Sequence, residues 1–172
     1  MPSNYLDLVE AEGVSQARRL VLAMLVALDE AVGQVVDSLK EVGEYENTVI
    51  VFTTDNGGSV SHASSNLPLR GTKGTLWEGG TRGPAFVHSP LLASDVQGST
   101  HEGMIHITDW MPTLASLAGL DEQQLEQLGL DGIDQTSMVM EGAASKRTDF
   151  VYNIKTSPFK AGYRCRPSCR PL

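Results

Sequence analysis

The sequence predicts an α/β fold, with a mixed or parallel sheet flanked by helices. Two observations carry that expectation. A long amphipathic helical pattern runs straight into an apolar run without polar alternation, and a second short apolar run precedes another well-punctuated helix. Helix, strand, loop, strand, helix is an α/β order.

The first helix is expected from Ser15 to Val42. Ala17, Leu20, Val21, Met24, Leu28, Val32, Val35, Val36 and Leu39 keep three- and four-residue spacing. Ser15 is placed to cap the start, Lys40 falls in the last turn and Gly43 follows as a stop. Gly33 costs only about 1 kcal/mol relative to Ala, too little to interrupt the helix. The next segment, "TVIVFTT", lacks polar alternation and suits a strand covered on both faces. "PAFVHSP" is a second strand, bracketed by prolines.

Between these strands, residues 55–83 form a connection rich in Gly, Ser and Thr. A structureless connection of that length inside a compact domain is either functional or a sign of a wrong element assignment. Further on, Thr108 or Asp109 is placed to cap "DWMPTLASLAGL", with Pro112 in the first turn and Gly119 at the end. "DEQQLEQL" reads as a short helix with a solvated face, "LDGIDQTSMV" as a turn leading into an irregular segment, and "DFVYNI" as a strand.

The 172 residues suffice for one domain with a core, though not comfortably for two. A formal net charge of -8 argues against nucleic acid or an acidic membrane surface as partner. The longest apolar run, "LVLAMLVAL", ends at Asp29 and Glu30 and is too short for a transmembrane segment. The stretch "MPSNYLDLVEAEG" has no basic n-region followed by an apolar core, so no signal peptide is expected in it, and these residues contain no N-x-S/T sequon. Cys165 and Cys169 both lie in the C-terminal tail, so no disulfide framework is expected and they do not report a redox compartment.

Candidate chemistry sits where the first strand stops, at "TTDNGG". Asp55 offers a carboxylate and Asn56 an amide oxygen, hard donors suited to Ca²⁺ or Mg²⁺. Gly57 and Gly58 permit a sharp turn and close approach of a substrate or ion. By itself the tetrapeptide reads first as ordinary turn chemistry. The second element, "LRGTKGTLWEGGTRG", places Arg70, Lys73 and Arg82 among glycines whose N–H groups suit an oxyanion, although a solvated basic loop is an equal reading. Lys73 is followed by Gly74 rather than Ser or Thr, and there is no G-x-G-x-x-G, so the nucleotide motifs fail. His62 in the spacer is a candidate acid or base but reads first as a solvated loop residue. His88, His101 and His106 do not pair at metal-ligand spacing. Trp77 is expected to pack or to line a cleft, and Glu78 to lie on the surface or support the site.

The combined order of "TDNGG", spacer, "PLRGTKGTLWEGGTRG" and a second strand ending "SPLL" is more specific than either piece. It resembles the sulfatase family, the arylsulfatase B-like enzymes in particular, over about residues 15–160. The resemblance implies an alkaline-phosphatase-like fold and hydrolysis of sulfate monoesters of a sugar or aryl alcohol. In that family the nucleophile is a hydrated formylglycine made from the cysteine of C-x-P-S-R, and Ca²⁺ neutralises the sulfate oxygens. Carried onto this sequence, it makes Asp55 and Asn56 two of the Ca²⁺ ligands and Lys73 the cation that contacts sulfate.

By the same resemblance, residues 1–160 are expected to be the C-terminal part of a catalytic domain, followed by an atypical tail at 161–172. The nucleophile motif and the first pair of aspartate ligands belong upstream and are not among these residues. The near match "CRPSCR" has Cys169 where arginine is required and stands on the wrong side of the metal ligands. The isolated chain is therefore expected to be an inactive part of a sulfatase. The alternatives are a non-catalytic sulfate- or metal-binding remnant and, more remotely, a phosphodiesterase or phosphonate hydrolase of the same superfamily. The family suggests a lysosomal or secreted setting, which the sequence itself does not mark.

Overall fold

A computed structural model describes residues 3–7, 9, 13–156 and 159–165. The chain forms two compact units, residues 1–90 and 91–172.

The first unit opens with α1 (Ser3–Asp7) and the long α2 (Gln16–Glu41). Ser15 caps α2 as expected, its hydroxyl accepting the Arg18 N–H at 3.3 Å. Gly43 ends the helix with φ at +77° and donates its N–H to the Lys40 carbonyl at 3.2 Å. The Tyr5 hydroxyl donates to the Glu30 carboxylate and ties α1 to α2. A 3-10 turn then leads into β1 (Ile50–Thr53), which pairs antiparallel with β2 (Ala85–His88). Phe52 and Phe86, directly opposite in the register, stack with ring centroids 5.1 Å apart. At the far end Ser89 is buried and donates to the Thr48 carbonyl at 2.7 Å.

The expected burial of β1 on both faces differs from what is found. Ile50, Val51 and Phe52 are half-buried, Thr53 is exposed, and β2 is β1's one ladder partner among the described residues. An unalternating run shows that both faces are apolar, but periodicity does not say what lies against them.

The second unit contains α4 (Trp110–Leu117), α5 (Glu122–Gln127), α6 (Thr136–Glu141) and the antiparallel hairpin of β3 (Asp149–Thr156) with β4 (Phe159–Cys165). The short α3 (Glu78–Thr81) belongs to the first unit. Asp109 holds the N-cap position of α4, as expected, although its side chain makes no cap hydrogen bond to that helix. A 3-10 turn, Ile107–Asp109, precedes the helix, and its N-cap is His106. Asp109 reaches back to the His106 N–H at 2.9 Å, and it is buried completely. The segment expected to be irregular contains α6, closed by Gly142 with φ at +71°. Six residues are too few to display helical periodicity, so the burial of Met138 and Val139 had no signature in the sequence.

β3 contains the expected strand, and residues 161–165 of the tail form part of β4. Cys165 stands opposite Asp149 in the hairpin register; Cys169 lies outside the described residues.

Apolar burial among the described residues is small: Ala23, Met138 and Val139. The second unit is held instead by a polar knot. Arg147 grips Asp109 bidentately, Nε to Oδ2 at 2.7 Å and NH2 to Oδ1 at 2.5 Å, and Asp109 also accepts the Ile133 N–H at 2.8 Å. The Thr113 hydroxyl donates to the Asp109 carbonyl at 2.6 Å and accepts the Gln135 N–H at 2.9 Å. No helix among the described residues is long and apolar enough to cross a membrane.

Candidate functional site

Asp55 and Asn56 stand where the sequence placed them, immediately beyond the carboxyl end of β1. The ladder continues one step past the strand, with the Thr54 N–H donating to the Pro84 carbonyl at 3.2 Å. The chain then turns at Gly57 and Gly58, and here the loop joins its second half. The Gly57 N–H donates to the Gly80 carbonyl at 3.0 Å, and the Gly79 N–H to the Arg70 carbonyl at 2.7 Å. The carbonyl of Gly58 accepts from the Lys73 N–H at 3.2 Å, the Thr72 hydroxyl at 3.2 Å and the Asn66 amide at 2.8 Å. The Gly58 N–H in turn donates to Asn66 Oδ1 at 2.7 Å.

This lacing revises the role given to the glycines. Gly57, Gly79 and Gly80 are buried; Gly57 meets the backbone of Gly79 and Gly80, and these two meet the backbone of residues 70–75. A Cβ on Gly79 would lie 2.6 Å from the Gly71 carbonyl oxygen and 2.7 Å from that of Arg70. These glycines serve close backbone packing, Gly57 between the two halves of the loop and Gly79 and Gly80 within the second half.

The lacing also joins the predicted site residues. Lys73 is bonded through its backbone to Gly58, two residues beyond Asn56. It occupies the second position of a tight turn, Thr72 to Thr75, closed by the Thr75 N–H donating to the Thr72 carbonyl at 3.0 Å. Gly74 fills the third position with φ at +86°, a conformation that strains other residues. Lys73 is exposed, and its ammonium has no hydrogen bond or ion pair among the described residues.

The other two cations are committed elsewhere. The Arg70 guanidinium lies over the Trp77 ring at 3.8 Å, and Arg82 pairs with Glu78 at 3.5 Å on the surface. His62 sits on a 3-10 turn with Nδ1 at 2.9 Å from the Ser59 hydroxyl and 3.1 Å from that of Ser61. His88 bonds to the Tyr45 hydroxyl at 2.8 Å, and His101 to the Ala143 carbonyl at 3.0 Å. The residue that sequence reasoning missed is Asn66, which clamps Gly58 from both sides; nothing in its local sequence distinguishes it from other loop asparagines.

The donor set at the strand end suits a hard cation. Asn56 donates through Nδ2 to the Gly57 carbonyl at 2.8 Å, which orients the amide and leaves Oδ1 without a hydrogen bond among the described residues. The Asp55 carboxylate is exposed and has no hydrogen bond or ion pair among the described residues. Two adjacent oxygen donors on a braced backbone fit part of a calcium or magnesium shell, which takes at least about six oxygens. No cluster of three or more His, Cys, Asp or Glu residues suited to a metal occurs among the described residues.

Residues 3–120 match the family model for sulfatases. Mouse arylsulfatase J is 46% identical over 153 residues, covering 85% of this chain and 25% of that protein. Bovine arylsulfatase A is 37% identical over 133 residues, covering 75% of this chain and 25% of its own length. Among solved structures, Ps i-CgsB in complex with k-i-k-neocarrahexaose superposes with a TM-score of 0.71 at 32% identity, over 83% of this chain and 31% of that one. The PsFucS1 sulfatase from Pseudoalteromonas sp. gives a TM-score of 0.66 at 35% identity, over 76% of this chain and 26% of its own.

The chain thus spans about a quarter of the length of the curated relatives it matches. The expected fold class holds, a partial α/β fold of the alkaline-phosphatase-like type. With two-thirds of its length in the family model and the loop that joins "DNGG" to Lys73 intact, this chain belongs to the sulfatase family.

Proposed function

We propose that this chain supplies part of the active site of a sulfate-ester hydrolase acting on a sugar or aryl sulfate. Residues 1–160 would form the C-terminal part of the catalytic domain. Asp55 and Asn56 are the Ca²⁺ ligands it contributes, and Lys73 is the cation that contacts the sulfate. The observation that supports this most is the bond from the Lys73 N–H to the Gly58 carbonyl, which brings the two motifs together.

Ca²⁺, when bound, supplies positive charge opposite the sulfate oxygens. The chain's own residues do the rest of the positioning. The Asp55 carboxylate and Asn56 Oδ1 point hard donors from a backbone that the Gly57–Gly80 bond braces. Lys73, free of competing carboxylates among the described residues, would offer its ammonium to the negative charge on the transferring sulfuryl group. Arg70 cannot substitute without leaving Trp77, nor Arg82 without leaving Glu78. Sulfuryl transfer, like phosphoryl transfer, depends mainly on positioning and charge neutralisation, the two things this loop provides.

Calcium titration followed by calorimetry tests the reading. The purified chain should bind Ca²⁺ weakly, as befits two protein ligands, and the Asp55→Ala/Asn56→Ala variant should not bind it. Lys73→Ala should retain calcium while losing the inorganic sulfate that the calcium-loaded chain takes up. Calcium binding that survives the double substitution would overturn the assignment.

A further inference from the structure

The site loop carries a second polar cluster that calcium and Lys73 leave unused. His62 ends the 3-10 turn Val60–His62, and two hydroxyls meet its ring. Nδ1 lies 2.9 Å from Ser59 Oγ and 3.1 Å from Ser61 Oγ, and the two oxygens are 3.0 Å apart. An imidazole Nδ1 has a single in-plane position, one N–H or one lone pair, so the two hydroxyls compete for it and one of them keeps capacity for a ligand. Nε2 has no hydrogen bond among the described residues, and His62 and Ser61 are both exposed. The turn is held in place. Ala63, next in the chain, adopts a left-handed φ of +61°, which is costly for a residue with a Cβ and collects at functional sites. The Arg18 guanidinium, from the first turn of α2, donates to the Ala63 carbonyl at 2.9 Å. The Val60 N–H donates to the Thr72 hydroxyl at 3.0 Å, and Thr72 is the residue before Lys73. Residues 56–77 include no Asp or Glu, although the whole chain has 21, so no carboxylate of this stretch competes with an anionic ester.

We propose that His62, with Ser59 and Ser61, holds the alcohol side of the sulfate ester and selects esters of sugars over those of simple aryl alcohols. A phenyl ring offers this cluster no hydrogen-bond partner and leaves its polar groups against an apolar surface. A sugar carries hydroxyls beside the esterified oxygen. Each can donate and accept, which suits a serine hydroxyl and an imidazole Nε2 of either tautomer. The inference rests on the assignment of Lys73 to the sulfate, and it narrows the substrate class that assignment leaves open.

Calorimetry on the calcium-loaded chain tests it, with inorganic sulfate, phenyl sulfate and the monosulfate esters of glucose as probes. At least one glucose ester should bind about fivefold tighter than phenyl sulfate, the worth of roughly one net hydrogen bond. His62→Ala should remove that margin while inorganic sulfate binds as before. His62→Gln, whose amide can donate and accept, should restore part of it. A histidine that merely folded the loop would weaken inorganic sulfate as well, because the same loop carries Lys73. The proposal is overturned if phenyl sulfate binds as tightly as every glucose ester, if the margin survives His62→Ala, or if His62→Ala weakens all probes alike. Uptake of inorganic sulfate without a sugar margin refutes this inference alone, whereas no uptake of inorganic sulfate refutes the Lys73 assignment and this inference with it.

Discussion

Gly57 and Gly80 lock the two halves of the site loop together. The N–H of Gly57 donates to the carbonyl of Gly80 at 3.0 Å, and any Cβ at Gly57 would overlap the carbonyl oxygen of Gly79. Together with the bond from the Lys73 N–H to the Gly58 carbonyl, this contact braces the end of β1 against the segment that carries Lys73.

Gly57→Ala is therefore expected to destabilise the first unit by about 2–3 kcal/mol, the cost of overpacking a closed backbone contact. Gly33 in α2 makes the control, because a Cβ there meets nothing within 4 Å. Gly33→Ala should stabilise by up to about 1 kcal/mol. Urea unfolding of the two variants reads both effects, and equal stability for Gly57→Ala and wild type would rule out the packing account.

The Asp109–Arg147 pair should dominate the second unit. Arg147→Met leaves a buried carboxylate facing two backbone N–H groups and no cation, and should cost about 3–5 kcal/mol. Asp109→Leu combined with Arg147→Met removes both charges and should recover a large part of that loss. A thermal double-mutant cycle measures the recovery; strictly additive losses would show that the pair does not act as a unit.

Acid should weaken the same unit in two stages. Burial lowers the pKa of His106, the charge of Arg147 lowers it further, and Asp109 opposes only in part. The folded state thus takes up this proton less readily than the unfolded chain, and stability falls as pH drops below about 6.5. For Asp109, burial alone raises the pKa. The hydrogen bonds from Arg147 and from the N–H groups of His106 and Ile133 outweigh it and hold the carboxyl below its usual range. Its contribution is complete above about pH 4 and is lost as pH falls through the depressed value. His106→Gln should remove the upper stage and leave the lower one, which unfolding midpoints measured between neutral and acid pH will show.

The purified 172-residue chain is expected to release no sulfate from an aryl sulfate, with or without calcium. The C-x-P-S-R nucleophile motif is not among its residues, and "CRPSCR" lacks the required arginine position. A calcium-dependent rate that Lys73→Ala abolishes would refute this expectation.

The sequence by itself determined the local elements whose signals are local. Ser15 and Gly43 set the ends of α2, and the unalternating run marked β1. Asp55, Asn56 and Lys73 could be named as candidates because residue type and motif order are written in the chain. What the tertiary structure decided was every relationship between distant residues. It laced "DNGG" to "EGG", recruited Asn66 as a clamp and committed Arg70 to Trp77, leaving Lys73 unengaged. It also gave Asp109, at the expected N-cap position of α4, a buried ion-pair partner in Arg147, 38 residues away. The reason is physical: capping and periodicity depend on neighbours within a turn or two, whereas hydrogen-bond partners and burial depend on which segments the fold brings together.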